Sequence, residues 1–215
     1  MEGVVAAEGV RAWQAWNAAH QAAIARGEQE SLRTRAVTAL AAEDAASHQA
    51  EQLETVAIHE VAAARGSRPS GRRFGALVHA VLAVTDLDVA DDSALRALAQ
   101  QKGRIVGASD DEVAAATGAV MAALAHPLLR RAAAACARGE LRRETPVWLR
   151  LEDGSLAEGV VDLAFREDGE WTVVDFKTDR ELEGSRGIYE DQVRLYARAV
   201  TAATGESACA VLLRI

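Results

Sequence analysis

Residues 159–179 read GVVDLAFREDGEWTVVDFKTD, two apolar runs on either side of an Asp-Gly pair. Residues 160–166 and 170–176 are rich in Val, Leu, Phe and Trp, side chains that suit a pleated, half-buried backbone. Asp168-Gly169 is the dipeptide of a tight hairpin turn. With the turn centred there, opposed residues have numbers of constant sum, and Asp162 falls opposite Asp175. Opposed Cβ atoms lie roughly 4.5–5.5 Å apart, where like charges repel, so a positive group is expected between them. Asp175 and Lys177 share one strand face, and Phe176 points the other way. Two acids and an ammonium at one spot suit a divalent metal held by hard oxygen ligands, with a point charge beside it.

Lys177 stands out because the chain has only one other lysine, Lys102, and otherwise uses arginine. Arginine keeps its proton, whereas lysine is a compact charge whose acidity can be tuned. The alternative is that Lys177 only pairs with Asp175 or Asp179, an energetically minor surface interaction.

Outward from the hairpin, Val147, Leu149 and Leu151 alternate as a strand that ends at Asp153-Gly154. Tyr189–Thr204 returns to helical spacing with Gly205 as its C-cap, and Ala208–Ile215 is a last apolar strand. Upstream, Gly71–Leu82 has a helical apolar face through Phe74, Leu77, Val78 and Val81, with Gly75 one turn before His79. Ser109 and Glu112 form a capping box, and Pro127 opens a further helix. Residues 9–65 are rich in Ala and Glu with helical periodicity, which predicts an arm of two helices or one broken helix. The expected organisation is a helical arm over residues 1–68 and an α/β domain over 69–215, a mixed sheet flanked by helices.

At 215 residues, half of them apolar, the chain can bury a proper core. No run suits a membrane span or a signal peptide, so a cytoplasmic protein with no membrane partner is expected. Cys136 and Cys209 lie in apolar contexts without ligand spacing; they are expected as buried free thiols, with no zinc or iron–sulfur cluster. The net charge of -8 argues against a general nucleic-acid binder. Two arginine clusters run against that balance: Arg65, Arg68, Arg72 and Arg73, and Arg130, Arg131, Arg138, Arg142 and Arg143. They are either phosphate-holding patches or solvated helix ends.

Three separated pieces now stand in order: Gly75-x-x-x-His79, Gly159-x-x-Asp162 with Val174-Asp175-Phe176-Lys177-Thr178, and Gln192-x-x-x-Tyr196. Their order and spacing resemble the PD-(D/E)XK nuclease superfamily, in particular the RecB/AddA-type nuclease domain at the C-terminus of helicase-nucleases. The resemblance covers roughly residues 70–215 and implies a restriction-endonuclease-like core. It implies His79, Asp162, Asp175 and the main-chain carbonyl of Phe176 as ligands of Mg²⁺ or Mn²⁺, and Lys177 as the catalytic lysine. Gln192 and Tyr196 would support the lysine or touch DNA, or else only pack their helix. Arg72, Arg73, Arg142 and Arg143 would hold DNA phosphates. Glu144 would either back up the ligands or cap the strand entry.

The implied activity is metal-dependent hydrolysis of DNA phosphodiesters, on single strands or ends. A helicase would act in the same parent polypeptide or in trans, since no Walker-type phosphate loop occurs here. The four-cysteine iron–sulfur clasp of some relatives is missing. The alternative is a non-catalytic nuclease-fold module that binds DNA or a helicase.

Overall fold

The computed structural model of the chain describes residues 2–28, 32–47, 55–61, 69–88, 91–178 and 185–215. Its elements in chain order are α1 (Glu2–Gly27), β1 (Thr34–Ala36), α2 (Val37–Ser47), β2 (Ala57–Glu60), α3 (Arg72–Leu82), α4 (Asp92–Val106), α5 (Asp110–Ala125) and α6 (Pro127–Ala137). Then follow β3 (Leu141–Arg150), β4 (Leu156–Glu167), β5 (Glu170–Lys177), α7 (Arg186–Thr204) and β6 (Ala208–Arg214).

The hairpin forms as its turn residues dictate. Asp168 and Gly169 both have positive φ, 50° and 84°, the pair of left-handed residues that lets two right-twisted strands fold back on each other. The ladder runs from Glu167 opposite Glu170 to Leu163 opposite Val174, the register that the constant sum requires. It stops one pair short of Asp162 and Asp175.

The six strands make one mixed sheet in the order β1-β4-β5-β6-β2, with β3 antiparallel to β4. Opposite β3, β4 is flanked in parallel by β1 at its beginning and in antiparallel by β5 at its end. β5 and β6 are parallel, and β6 carries β2 on its other edge, also parallel. A sheet buried on both faces needs apolar side chains in both directions. Accordingly every residue of β5 from Thr172 to Lys177 is buried.

One layer packs α3 to α6 on the face of Leu163, Phe165, Val174, Phe176, Val211 and Leu213. The other packs α2 and α7 on the face of Ala157, Val161, Ala164, Val173, Ala210 and Leu212. Simple alternation would put Val161 and Leu163 on the same side, yet they belong to opposite layers. Leu141 likewise packs with the first layer, and Val147 and Leu149 with the second. Both strands thus change faces at Glu144 and Asp162, the one residue of β3 and the one residue of β4 that enter no ladder. Glu144 carries the turn in its backbone, with φ 44°.

The helix ends follow their local chemistry. Ser109 and Glu112 close a reciprocal capping box at the start of α5. Pro127 is the first residue of α6, where its missing N–H costs nothing, and His126 Nδ1 accepts from the Leu128 amide at 3.1 Å. Gly205 ends α7 with φ 75°. Among the described residues no single helix is long and apolar enough to cross a membrane; α5 and α6 pass that test only together, bent by 72°.

Two expectations are corrected. The region 1–68 is not helical throughout: β1 pairs with Leu156–Glu158 and β2 with Val211–Arg214, so both strands belong to the sheet. The part of that pattern through Leu53 lies outside the described residues. Cys136 and Cys209 are exposed, not buried. Cys209 takes the outward position on β6 between the buried Ala208 and Ala210 and faces Thr172 Oγ1 at 3.5 Å.

Candidate active site at the mouth of the hairpin

Where the β4–β5 ladder stops, the two strands separate and the chemistry-bearing side chains gather in the gap. The main-chain amide of Phe176 donates to Asp162 Oδ2 at 2.8 Å. His79, on the third turn of α3, brings its Nδ1 to 3.6 Å from the same oxygen. Its ring meets the edge of Phe176 at 6.0 Å between centroids. On β5, Lys177 Nζ lies 2.5 Å from Asp175 Oδ2. Both residues are buried, at 2% exposure for Asp175 and 8% for Lys177. The positive group expected beside the acids is supplied by Lys177 at Asp175, while an imidazole, that of His79, stands beside Asp162.

α7 closes the site from the other layer. The Gln192 side-chain amide donates to the Tyr196 hydroxyl at 3.0 Å, and both residues are buried. The Tyr196 ring lies directly against Gly159: a Cβ there would fall 2.5 Å from Tyr196 Cε1. The Gly-x-x-Asp and Gln-x-x-x-Tyr pieces are thus two sides of one contact. A residue that sequence reasoning missed is Tyr189, whose ring centroid lies 4.7 Å from Lys177 Nζ. A signal was available: the chain has only two tyrosines, Tyr189 and Tyr196, seven apart and so on one helix face.

The electrostatics follow from burial and charge. Desolvation drives the Asp175 carboxyl upward; Lys177 opposes that and Asp162 adds to it, and the net shift is up. Desolvation works to lower His79, but the hydrogen bond and charge of Asp162 prevail and raise it. Glu144 is raised by burial and then by Asp162, and lowered in part by His79, which places its carboxylate in the field of the same cluster. Burial raises Tyr196, offset in part by the Gln192 hydrogen bond.

The donor set suits a hard divalent cation in kind: two carboxylates, an imidazole and a main-chain carbonyl. As they stand, no three His, Cys, Asp or Glu side chains among the described residues are gathered closely enough to hold an ion. Asp175 is turned onto Lys177 instead. Its Oδ2 is buried and receives no hydrogen bond of directed geometry, so a cation already stands on the one oxygen that needs one. The donors fit such an ion in kind, and holding one would require Asp175 to be shared between it and the lysine.

The four arginines expected on DNA fare differently. Arg73 makes a two-pronged contact with Glu112 at 3.0 and 3.1 Å. Arg143 donates to the carbonyls of Leu82 and Thr85 at the end of α3, and Arg142 to those of Gly139 and Leu141. These three serve the fold as they stand; Arg72 is exposed at the first position of α3. In the second cluster Arg131 pairs with Glu167 and Arg138 with Glu140. Arg65 and Arg68 lie outside the described residues.

Comparison with known proteins gives one family. The model of the PD-(D/E)XK nuclease superfamily matches residues 46–215, and no curated protein is a significant match to the chain. With that match running from the end of α2 through β6, across the sheet that positions Asp162, Asp175 and Lys177, the chain belongs to the PD-(D/E)XK nuclease superfamily.

Proposed function

We propose that this chain is a Mg²⁺- or Mn²⁺-dependent deoxyribonuclease of the RecB/AddA kind. It hydrolyses phosphodiester bonds of single-stranded DNA or DNA ends, as the nuclease domain of a DNA-repair helicase or as a separate partner of one. The observation that carries the reading is the pairing of Lys177 with Asp175 at 2.5 Å, in the gap that also holds Asp162 and His79. The helicase association rests on the motif resemblance alone.

His79, Asp162, Asp175 and the Phe176 carbonyl would hold the metal, which supplies Lewis-acid polarisation of the phosphoryl group when bound. The chain's own residues do the rest. Lys177 presents a compact positive charge, held by Asp175, to the phosphoryl oxygens, where negative charge grows as the bond to water forms. Asp162 is held in place by the Phe176 amide, which donates to its Oδ2. Gln192 and Tyr196 brace the far side of the gap through Gly159.

The test is cleavage of linear single-stranded DNA by the purified chain with Mg²⁺ or Mn²⁺, beside an Asp175→Ala, Lys177→Ala double variant. The expected outcome is cleavage by the parent and a loss of about a hundredfold or more in the variant, the scale of removing preorganised charge stabilisation. A parent that binds the metal yet cuts no DNA would instead assign a non-catalytic binding module.

A further inference from the structure

The Lys177 ammonium has a neighbour of a different kind from Asp175: it sits over the Tyr189 ring, 4.7 Å from the centroid. Tyr189 belongs to the start of α7 and packs with the α2–α7 layer, so the ring is carried by an element other than the strand that bears the lysine. An ammonium at 8% exposure has given up most of its water and needs compensation from fixed groups. Asp175 offers one carboxylate oxygen. The face of an aromatic ring within about 6 Å offers a second attraction, stronger where water is excluded.

The two holds differ in kind. A carboxylate attracts every cation that enters the gap, and its hold on the lysine weakens when another cation shares its oxygens. A phenol ring carries no formal charge and ligates no hard cation, so its hold on Lys177 persists when Asp175 is shared. Fixed to a helix of the opposite layer, it also sets the ammonium's position relative to the sheet.

We infer that Tyr189 is a positioning residue, whose ring face holds the Lys177 ammonium at the hairpin mouth in the place where it meets the scissile phosphate. The inference rests on the assignment of Lys177 to the nuclease reaction. It requires the ring and not the hydroxyl, which separates it from a role in hydrogen bonding.

Two readouts test it. The first uses no DNA. With only Lys102 and Lys177 in the chain, protein made with ¹³C-labelled lysine gives two sets of side-chain signals, and Lys102→Arg assigns them. The ring current of Tyr189 is expected to move the Lys177 Hε signal upfield in the parent and in Tyr189→Phe, and to release it in Tyr189→Leu. The second readout is steady-state cleavage of single-stranded DNA. Tyr189→Leu is expected to lower kcat about tenfold with KM near that of the parent, and Tyr189→Phe to restore kcat to within about twofold.

A Lys177 signal at the ordinary lysine position in the parent overturns the inference even if the leucine variant fails to fold. So does an unchanged kcat in a folded Tyr189→Leu protein. A parent that shows the shifted Lys177 signal but cuts no DNA removes the nuclease reading and the catalytic part of this inference together, leaving only the ring contact.

Discussion

Gly159 shows how much one missing side chain decides. The Tyr196 ring lies where its Cβ would be, with contacts of 2.5 Å to Cε1 and 3.1 Å to the hydroxyl. The ring cannot withdraw easily, because it is 4% exposed and bonded to Gln192. Gly159→Ala is therefore expected to destabilise the fold by about 1–3 kcal/mol, as overpacking does. In a double-mutant cycle read by chemical denaturation, Tyr196→Ala should absorb much of that cost; additive effects would show that the contact is not what requires the glycine. At this scale the sequence was legible where a residue type is scarce or its spacing is local. Lys177 stood out among arginines, and Asp162 and Asp175 followed from counting outward from a turn. Tyr189 was not read, because its meeting with Lys177 depends on how α7 is seated over β5. Arg143 was misleading for a related reason: a basic run does not reveal that one guanidinium turns inward to the carbonyls ending α3.

Among the elements, α3 and α5 share the core of their layer and are also tied at their first turns by one carboxylate. Glu112 accepts from the Ser109 amide at 2.8 Å while Arg73 of α3 grips both its oxygens. The Ser109 amide, and after it Arg73, hold this carboxyl below the usual glutamate range. A carboxyl lowered on folding contributes stability that is present above its unfolded pKa and lost as pH falls through its folded one. Thermal melts of the parent should therefore fall as pH drops through and below the ordinary carboxylate range. Glu112→Gln should start lower at neutral pH and fall less steeply; parallel curves for the two proteins would refute the linkage. The capping box that fixes this junction was readable from four consecutive residues, as was the hairpin from its Asp-Gly turn. β1 and β2 were not, for they have three and four residues, too few for a period. Their parallel partners, β4 and β6, lie far downstream, and only the assembled sheet recruits them. The alanine-rich helical pattern on either side carried the eye straight through both.

For the whole molecule, the point at which the nuclease body begins differs from the boundary that composition suggests. β1, α2 and β2 are built into the sheet and its α7 layer, whereas α1 presents Val10, Trp13, Trp16 and Ile24 to solvent. Removal of residues 1–27 is expected to leave the unfolding midpoint and DNA cleavage close to those of the full chain. Removal of residues 1–61 should abolish cooperative unfolding, since it strips both flanking strands and uncovers the β6 edge. If the shorter deletion unfolds the protein, or the longer one spares it, the body has been drawn in the wrong place.

The two carboxylates of the site are mounted in mechanically different ways. Asp175 lies on a strand laddered to β6 through Lys177 and to β4 as far as Val174, whereas Asp162 enters no ladder and faces a kink at Glu144. The two sides of the gap are therefore anchored differently, one by main-chain ladder bonds and the other by a side chain. The backbones that carry Asp175 and Lys177 are thus tied into the sheet, whereas Asp162, outside the ladder, is tied across the gap by its own carboxylate, which accepts from the Phe176 amide.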